Sequence, residues 1–193
     1  MGFSDRQRTA ADLVMVDRTV DLVQDRIDLA IRLSHRIDDG LVARRLAACR
    51  SVLCASPAYL QRAGTPQTPA DLASHRCVMH SNAFAQSFQL RRGAEVASVA
   101  AKGTLTANET SIVRAAALAG GGIAMLPTYY VGEALARGLL QVVLPGYELD
   151  AMSIHAVYLS RRHQPLALRR LIEFLAERFG GDVAPWDWGA AAG

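Results

Sequence analysis

Three cysteines and two nearby histidines are the residues whose types could support thiol or metal chemistry. The cysteines are Cys49, Cys54 and Cys77, and the histidines are His75 and His80. No two cysteines have the C-x-x-C spacing of a zinc site, which needs four ligands. Each cysteine lies among apolar residues, a pattern typical of a small buried hydrophobic side chain. The sequence therefore predicts no metal and no cofactor, while a catalytic Cys–His pair stays an open alternative.

The glycine run "AGGGIAMLP" does not have the order of a phosphate-binding loop. Such a loop follows a strand and precedes a helix, whereas Gly120–Gly122 precede an apolar strand. The order favours the end of a helix and a tight turn into the next strand. The chain also lacks a G-x-S-x-G elbow and an H-E-x-x-H pair. The sequence therefore predicts a protein that is not an enzyme.

Polar side chains follow several predicted strands, at the ends where ligands bind in open α/β sheets. Arg32 could pair with a carboxylate through its planar guanidinium, and a helix predicted from Glu109 could receive an anion at its free N–H groups. Structural alternatives stay open: Arg32 pairs with Asp28 or Asp38, Asn108 only caps its own helix, and His80 is a structural histidine. The candidate positions at these strand ends are Arg32, Ser34, His80, Ser81, Asn82, Thr106 and Asn108.

Composition excludes some classes of protein. The 193 residues carry 21 basic and 18 acidic side chains, and the basic ones are scattered, so no nucleic-acid surface is predicted. No apolar run approaches the roughly 20 residues of a membrane span. The odd number of cysteines and the absence of a secretory signal predict reduced thiols in the cytoplasm.

The positions of apolar residues predict an α/β fold. Strands at 13–16 and 29–33 flank a helix at 19–28, which predicts a parallel βαβ unit. Residues 41–56 are too long for one strand and predict two, joined near Ala48. Ser56, Pro57 and Gly64 then delimit a short helix. Further along, the pattern predicts antiparallel strands with turns near residues 92–93 and 102–103, a helix capped by Asn108, and an amphipathic helix that ends at Gly180.

An ordered set of motifs resembles the effector-binding domain of LysR-type transcriptional regulators. The matching segments are "DLAIR", "LVARRL", "ASPAYLQRAGTPQTPADL", "HRC" and "GIAMLP", in that order, within Asp17 to Phe179. The resemblance implies two Rossmann-like lobes similar to type II periplasmic binding proteins. Residues 1–48 and 156–180 would form lobe I, 49–155 lobe II, and 181–193 a loose tail. It also implies that lobe I lacks its first strand and most of its first helix, and that the winged helix-turn-helix is absent.

The same resemblance implies a small-molecule effector in a cleft between the lobes, with carboxylates as the class that suits Arg32. Homodimers are expected, and DNA would be bound only through the absent N-terminal domain. A solute-binding module of transport, or a small cytoplasmic enzyme that uses a cysteine or His80, stays as an alternative. Carried over by position, the effector-binding residues would be Arg32, Ser34, His80, Ser81, Asn82, Asn108 and Pro127.

Overall fold

The computed structural model describes residues 11–16, 20–37, 40–81, 87–160, 164–179 and 186–187. The strands in these ranges are β1 (Ala30–Ser34), β2 (Val42–Cys49), β3 (Ser51–Ala55), β4 (Cys77–His80), β5 (Ser87–Arg92), β6 (Glu95–Ala100), β7 (Gly103–Ala107), β8 (Ile123–Pro127), β9 (Gln141–Val142), β10 (Glu148–Leu149) and β11 (Met152–Tyr158). The helices are α1 (Pro57–Ala63), α2 (Thr110–Leu118), α3 (Thr128–Ala136) and α4 (Leu166–Phe179), with a 3₁₀ helix at Pro69–Ser74.

The described residues form two compact units. The first contains the residues up to Cys49 and those from Met152 to Phe179, and the second contains Arg50–Ala151 with Trp186 and Asp187. Residues 152–155 were expected in the second lobe, but they lie in β11, which pairs with β1 and β2 of the first unit. The change of unit lies between Cys49 and Arg50, between strands β2 and β3, where the resemblance implies a boundary after residue 48.

The first unit contains a three-stranded sheet in the order β1-β11-β2, with both pairings antiparallel. Helix α4 packs against β2 and buries Ile172. Among the residues that the structure describes, no strand pairs with the outer edge of β1. Ile31 and Leu33 on that edge strand are about half and one-third exposed, respectively.

Three predictions for the start of the chain are wrong. Residues 13–16 are not in a strand, and Leu13 is 87% exposed. The described part of the predicted 19–28 helix is a turn, in which the Asp21 carboxylate accepts hydrogen bonds from the N–H groups of Val23 and Gln24, both at 2.9 Å. The parallel βαβ unit is therefore absent from the described residues, and β1 pairs instead with β11, about 120 positions later.

The second unit contains a five-stranded sheet in the order β7-β4-β8-β3-β9 and a three-stranded sheet in the order β10-β5-β6. Side chains alternate across the larger sheet because successive residues of a strand point to opposite faces. One face packs with helices α2 and α3, through residues such as Val78, Ala124 and Val131. The other face shares a cluster with the smaller sheet and helix α1, through Met79, Phe88 and Leu60.

Local signals delimit helix α1 as predicted. The Ser56 hydroxyl accepts a hydrogen bond from the Tyr59 N–H at 3.3 Å, Pro57 occupies the first turn, and Gly64 ends the helix at φ 82°. Two neighbouring predictions are wrong. The turn near Lys102 does not make a hairpin, since β7 pairs in parallel with β4. Helix α2 begins after Glu109, which is its N-cap residue in place of Asn108.

Candidate functional site

One edge of the five-stranded sheet gathers most of the predicted positions of the second unit. Strands β4, β7 and β8 are parallel, so their carboxyl ends face the same way. His80 pairs with Ala107, and the Ser81 N–H donates to the Ala107 carbonyl at 2.8 Å. Ser81 and Asn108 are exposed at this edge, where Pro127 ends β8. Asn82 lies outside the described residues.

Helices α2 and α3 both begin at this edge, directly after β7 and β8. The N-cap residue of α2, Glu109, makes no capping side-chain hydrogen bond and instead accepts one from the Ser111 hydroxyl at 3.3 Å. The N-cap residue of α3 is Pro127, which has no side-chain acceptor. Because helix N-termini carry partial positive charge, the edge is suited to an anionic group. We call it the sheet edge: His80, Ser81, Asn108, Pro127 and the first residues of α2 and α3.

In the first unit, Arg32 and Ser34 lie on β1 and already have hydrogen-bond partners. The Arg32 guanidinium donates to the Val20 carbonyl at 2.6 Å, which ties the 20–27 segment to the sheet. The sequence leaves open an ion pair between Arg32 and either Asp28 or Asp38. Asp38 lies outside the described residues. Ser34 closes a local turn with the backbone of Arg36.

The sheet register places residues beside Arg32 that the sequence did not single out. His155 on β11 stands opposite Arg32 on one side and Arg45 on the other. Arg45 donates from Nε to the Ser153 hydroxyl at 3.3 Å. The Nδ1 atom of His155 is buried from solvent. The spacing of residues in the sequence does not indicate this row of Arg32, His155 and Arg45. The row forms only because β11 pairs with β1 and β2.

We expect His155 to make stability depend on pH. Burial lowers the pKa of His155, and the positive charge of Arg45 lowers it further, while a backbone hydrogen bond at Ser153 acts in the opposite direction. The folded state therefore favours the neutral ring. The contribution of the neutral ring to the free energy of unfolding is fully present above about pH 6.5, the pKa of histidine in the unfolded chain. It is lost as the pH falls through the lower pKa of the folded state.

Thermal unfolding of the wild type and of His155→Gln between pH 7.5 and pH 5 measures this effect. The wild type should lose more stability towards acid than the variant, which cannot be protonated at this position. Parallel curves for the two proteins would contradict the role given to His155.

The three cysteines are buried, on strands of both units. Cys54 and Cys77 belong to clusters on opposite faces of the five-stranded sheet. Burial raises the pKa of the Cys54 thiol to about 12 and that of Cys77 to about 11, the latter against a hydrogen bond from the Lys102 backbone. Since the thiolate is the reactive form, these thiols are poor nucleophiles at neutral pH.

Cys49, Cys54 and Cys77 should react with Ellman's reagent only after unfolding exposes them, so the labelling rate should not exceed the unfolding rate. At neutral pH we expect negligible labelling over minutes in buffer and complete labelling of all three thiols in 6–8 M urea, the range that unfolds most small domains. Rapid labelling of one thiol in buffer would instead identify a reactive cysteine.

Two further observations bear on the class of protein. In the described ranges, no three His, Cys, Asp or Glu side chains come together in a group that could hold a metal ion. The same ranges contain no helix with both the length and the apolar character that crossing a membrane requires.

Comparison with known proteins places this arrangement in a family. Residues 7–180 match the model of the LysR substrate binding domain. The HTH-type transcriptional regulator PtxR of Pseudomonas aeruginosa is 37% identical over 178 residues, which are 90% of this chain and 56% of that protein. The HTH-type transcriptional activator TtdR of Escherichia coli is 38% identical over 164 residues, 84% of this chain and 53% of that protein. The chain thus spans about half the length of the curated relatives it matches.

A solved structure supports the same assignment. The regulatory domain of CrgA, a LysR-type transcriptional regulator from Neisseria meningitidis, is 31% identical, with a TM-score of 0.73 over 82% of this chain and 78% of that one. Its similarity covers both the fold and the sequence, and the α/β architecture is that of a type II periplasmic-binding-protein-like domain. The chain therefore belongs to the LysR substrate-binding domain family.

Proposed function

We propose that this chain is the effector-sensing part of a LysR-type transcriptional regulator that acts in the cytoplasm and has no catalytic activity. The single observation that carries the proposal is the match of residues 7–180 to the substrate-binding domain of that family. The names of the relatives support it, since PtxR and TtdR are both transcriptional regulators. The burial of Cys49, Cys54 and Cys77 is consistent with thiols that pack in the core rather than react.

We place effector binding at the strand ends that the family resemblance assigns to an inter-lobe cleft. The support from the second unit is the sheet edge, where Ser81 and Asn108 are exposed beside two helix N-termini. A hydroxyl, a carboxamide and N–H dipoles together suit a small polar or anionic molecule. The full proposed set is Arg32, Ser34, His80, Ser81, Asn82, Asn108 and Pro127.

In the full-length regulator, the effector would act by favouring one arrangement of the two lobes over another. This requires that the effector bind the two arrangements with different affinities, and the difference limits how far the equilibrium can shift. DNA would be read by a helix-turn-helix domain outside this chain, and pairing of two copies would pass the change to both DNA-reading heads.

A thermal-shift screen of small carboxylates and aromatic acids tests the proposal. A true effector should raise the melting temperature of the wild type in a saturable way, because it binds only the folded state. Ser81→Ala and Asn108→Ala should each weaken the apparent affinity by about two- to thirteenfold, the equivalent of one hydrogen bond.

Ser74→Ala is the matched control for Ser81→Ala. Ser74 is exposed in the 3₁₀ helix of the same unit, where its hydroxyl donates only to the Asp71 carbonyl at 2.8 Å. Affinity should not change in this variant. A ligand whose binding survives both Ser81→Ala and Asn108→Ala would contradict the proposed position of the site.

A further inference from the structure

Asp187 is a buried carboxylate at the first turn of helix α3. Its side chain is 1% exposed, and its Oδ1 atom accepts a hydrogen bond from the Thr128 hydroxyl at 2.5 Å. Thr128 is the first residue of α3 and is itself buried. The N-cap residue, Pro127, supplies no side-chain acceptor. Asp187 therefore provides, from 59 positions away, the negative group that this helix end lacks.

The second carboxylate oxygen of Asp187 has fewer partners than the first. The Oδ2 atom of Asp187 is buried without a hydrogen-bond partner, and the Nε atom of the Arg50 guanidinium lies 4.0 Å from it. The Arg50 side chain is 55% exposed, so water screens its charge. A buried carboxylate is costly unless its surroundings favour the anion. Here the favourable groups are the Thr128 hydroxyl and the N-terminal dipole of α3.

Trp186, the residue before Asp187, packs against helix α3 and so restricts the position of the Asp187 carboxylate. The ring of Trp186 packs edge-on against the ring of Tyr129, with their centroids 5.7 Å apart and their planes at 73°. The Trp186 carbonyl also lies 3.8 Å from where a side chain at Gly132 would begin, so the backbone runs close over α3. The tail of residues 181–193 was expected to be loose, and at Trp186 and Asp187 this expectation is wrong.

We propose that the first turn of α3 is a carboxylate-binding site which the chain fills with its own Asp187. The site adjoins Pro127 at the sheet edge, so an effector carboxylate that approached this turn would have to displace Asp187 first. This regulatory consequence rests on the proposed function, whereas the carboxylate site itself does not. The chain would then contain an internal competitor that lowers its apparent affinity for acidic effectors.

Rescue of Asp187→Ala by acetate tests the site without any knowledge of the effector. The substitution leaves a space that fits a carboxylate, so the melting temperature should fall in sodium chloride and recover in sodium acetate of equal ionic strength. At ten times the dissociation constant, the recovery should be roughly 3–6 °C for a chain of this size. The wild type and Glu133→Ala are the controls, and Glu133→Ala removes an exposed carboxylate of the same helix. Each should have the same melting temperature in sodium acetate as in sodium chloride.

Two further variants separate a carboxylate site from a general loss of packing. Thr128→Val combined with Asp187→Ala should abolish the specific effect of acetate, because the hydroxyl donor is gone. Asp187→Asn keeps one acceptor oxygen and nearly the same shape but removes the charge, and its melting temperature should also fall.

The proposal is overturned by an Asp187→Asn variant as stable as the wild type, or by an Asp187→Ala variant that acetate does not rescue. These outcomes are independent of the effector screen. Rescue by acetate in a chain that binds none of the screened acids would leave the carboxylate site standing and contradict the proposed acidic effector.

Discussion

Replacing Gly122 by alanine should destabilise the second unit by about 3 kcal/mol, through backbone strain and overlap in a packed turn. Gly122 has φ at +153°, and a methyl group there would lie 2.4 Å from the Arg76 carbonyl oxygen. That carbonyl cannot move freely, because it accepts hydrogen bonds from the Ile123 N–H at 2.9 Å and from the Tyr59 hydroxyl at 3.4 Å. Urea denaturation followed by circular dichroism measures the loss.

Gly138→Ala is the matched control for this substitution. Gly138 also has positive φ, at +68°, but no atom lies within 4 Å of where its methyl group would stand. This variant should therefore lose only about 1 kcal/mol, the cost of the left-handed backbone alone. If Gly122→Ala were no less stable than Gly138→Ala, the steric argument for the turn would be wrong.

Phe88→Ala should have the other large effect, a loss of about 3–5 kcal/mol. Phe88 is 1% exposed and is among the largest fully buried side chains of the described residues. It lies on β5, in the cluster that joins the smaller sheet of the second unit to the larger one. Alanine would leave a cavity that rigid strands on two sides cannot close. The midpoint of urea unfolding should fall sharply.

Val96→Ala on the partner strand β6 controls for the Phe88 experiment. Val96 is 58% exposed and belongs to the same hairpin, where it pairs with Arg91. Its truncation should change stability by about 0.5 kcal/mol or less, as is usual for a surface position. Similar losses in both variants would mean that the cluster is not the core of this unit.

The elements that were predicted well depend on signals within a few residues. Helix α1 is delimited by Ser56, Pro57 and Gly64, which cap and end a helix by contacts within their own turns. The hairpin of β5 and β6 follows the same logic, since its turn lies at residues 93–94 between two alternating strands. The break between β2 and β3 was predicted from length alone.

The elements that were missed depend on partners far away in the chain. A strand at 13–16 and a helix at 19–28 are reasonable from apolar spacing, but the stable partner of β1 is β11. Tertiary pairing outweighs local propensity here. The same reason hides the polar row of the first unit, since Arg32 and His155 are neighbours only through this register.

The candidate site was predictable where the topology is simple. Adjacent parallel strands carry His80, Ser81, Asn108 and Pro127 to one edge, as the rule for open α/β sheets predicts. Thr128 and Asp187 could not be paired from the sequence, because 59 positions separate them. Nor does any local pattern indicate that Arg32 holds the Val20 carbonyl.

The most direct test of the central claim is an NMR titration of the isotope-labelled chain with an effector from the thermal-shift screen. We predict saturable shifts of the backbone amide signals of Ser81, Asn108 and Thr128, with those of Val96 and Glu133 unchanged as remote reporters. Saturable shifts confined to other surfaces, with the sheet edge silent, would contradict the account.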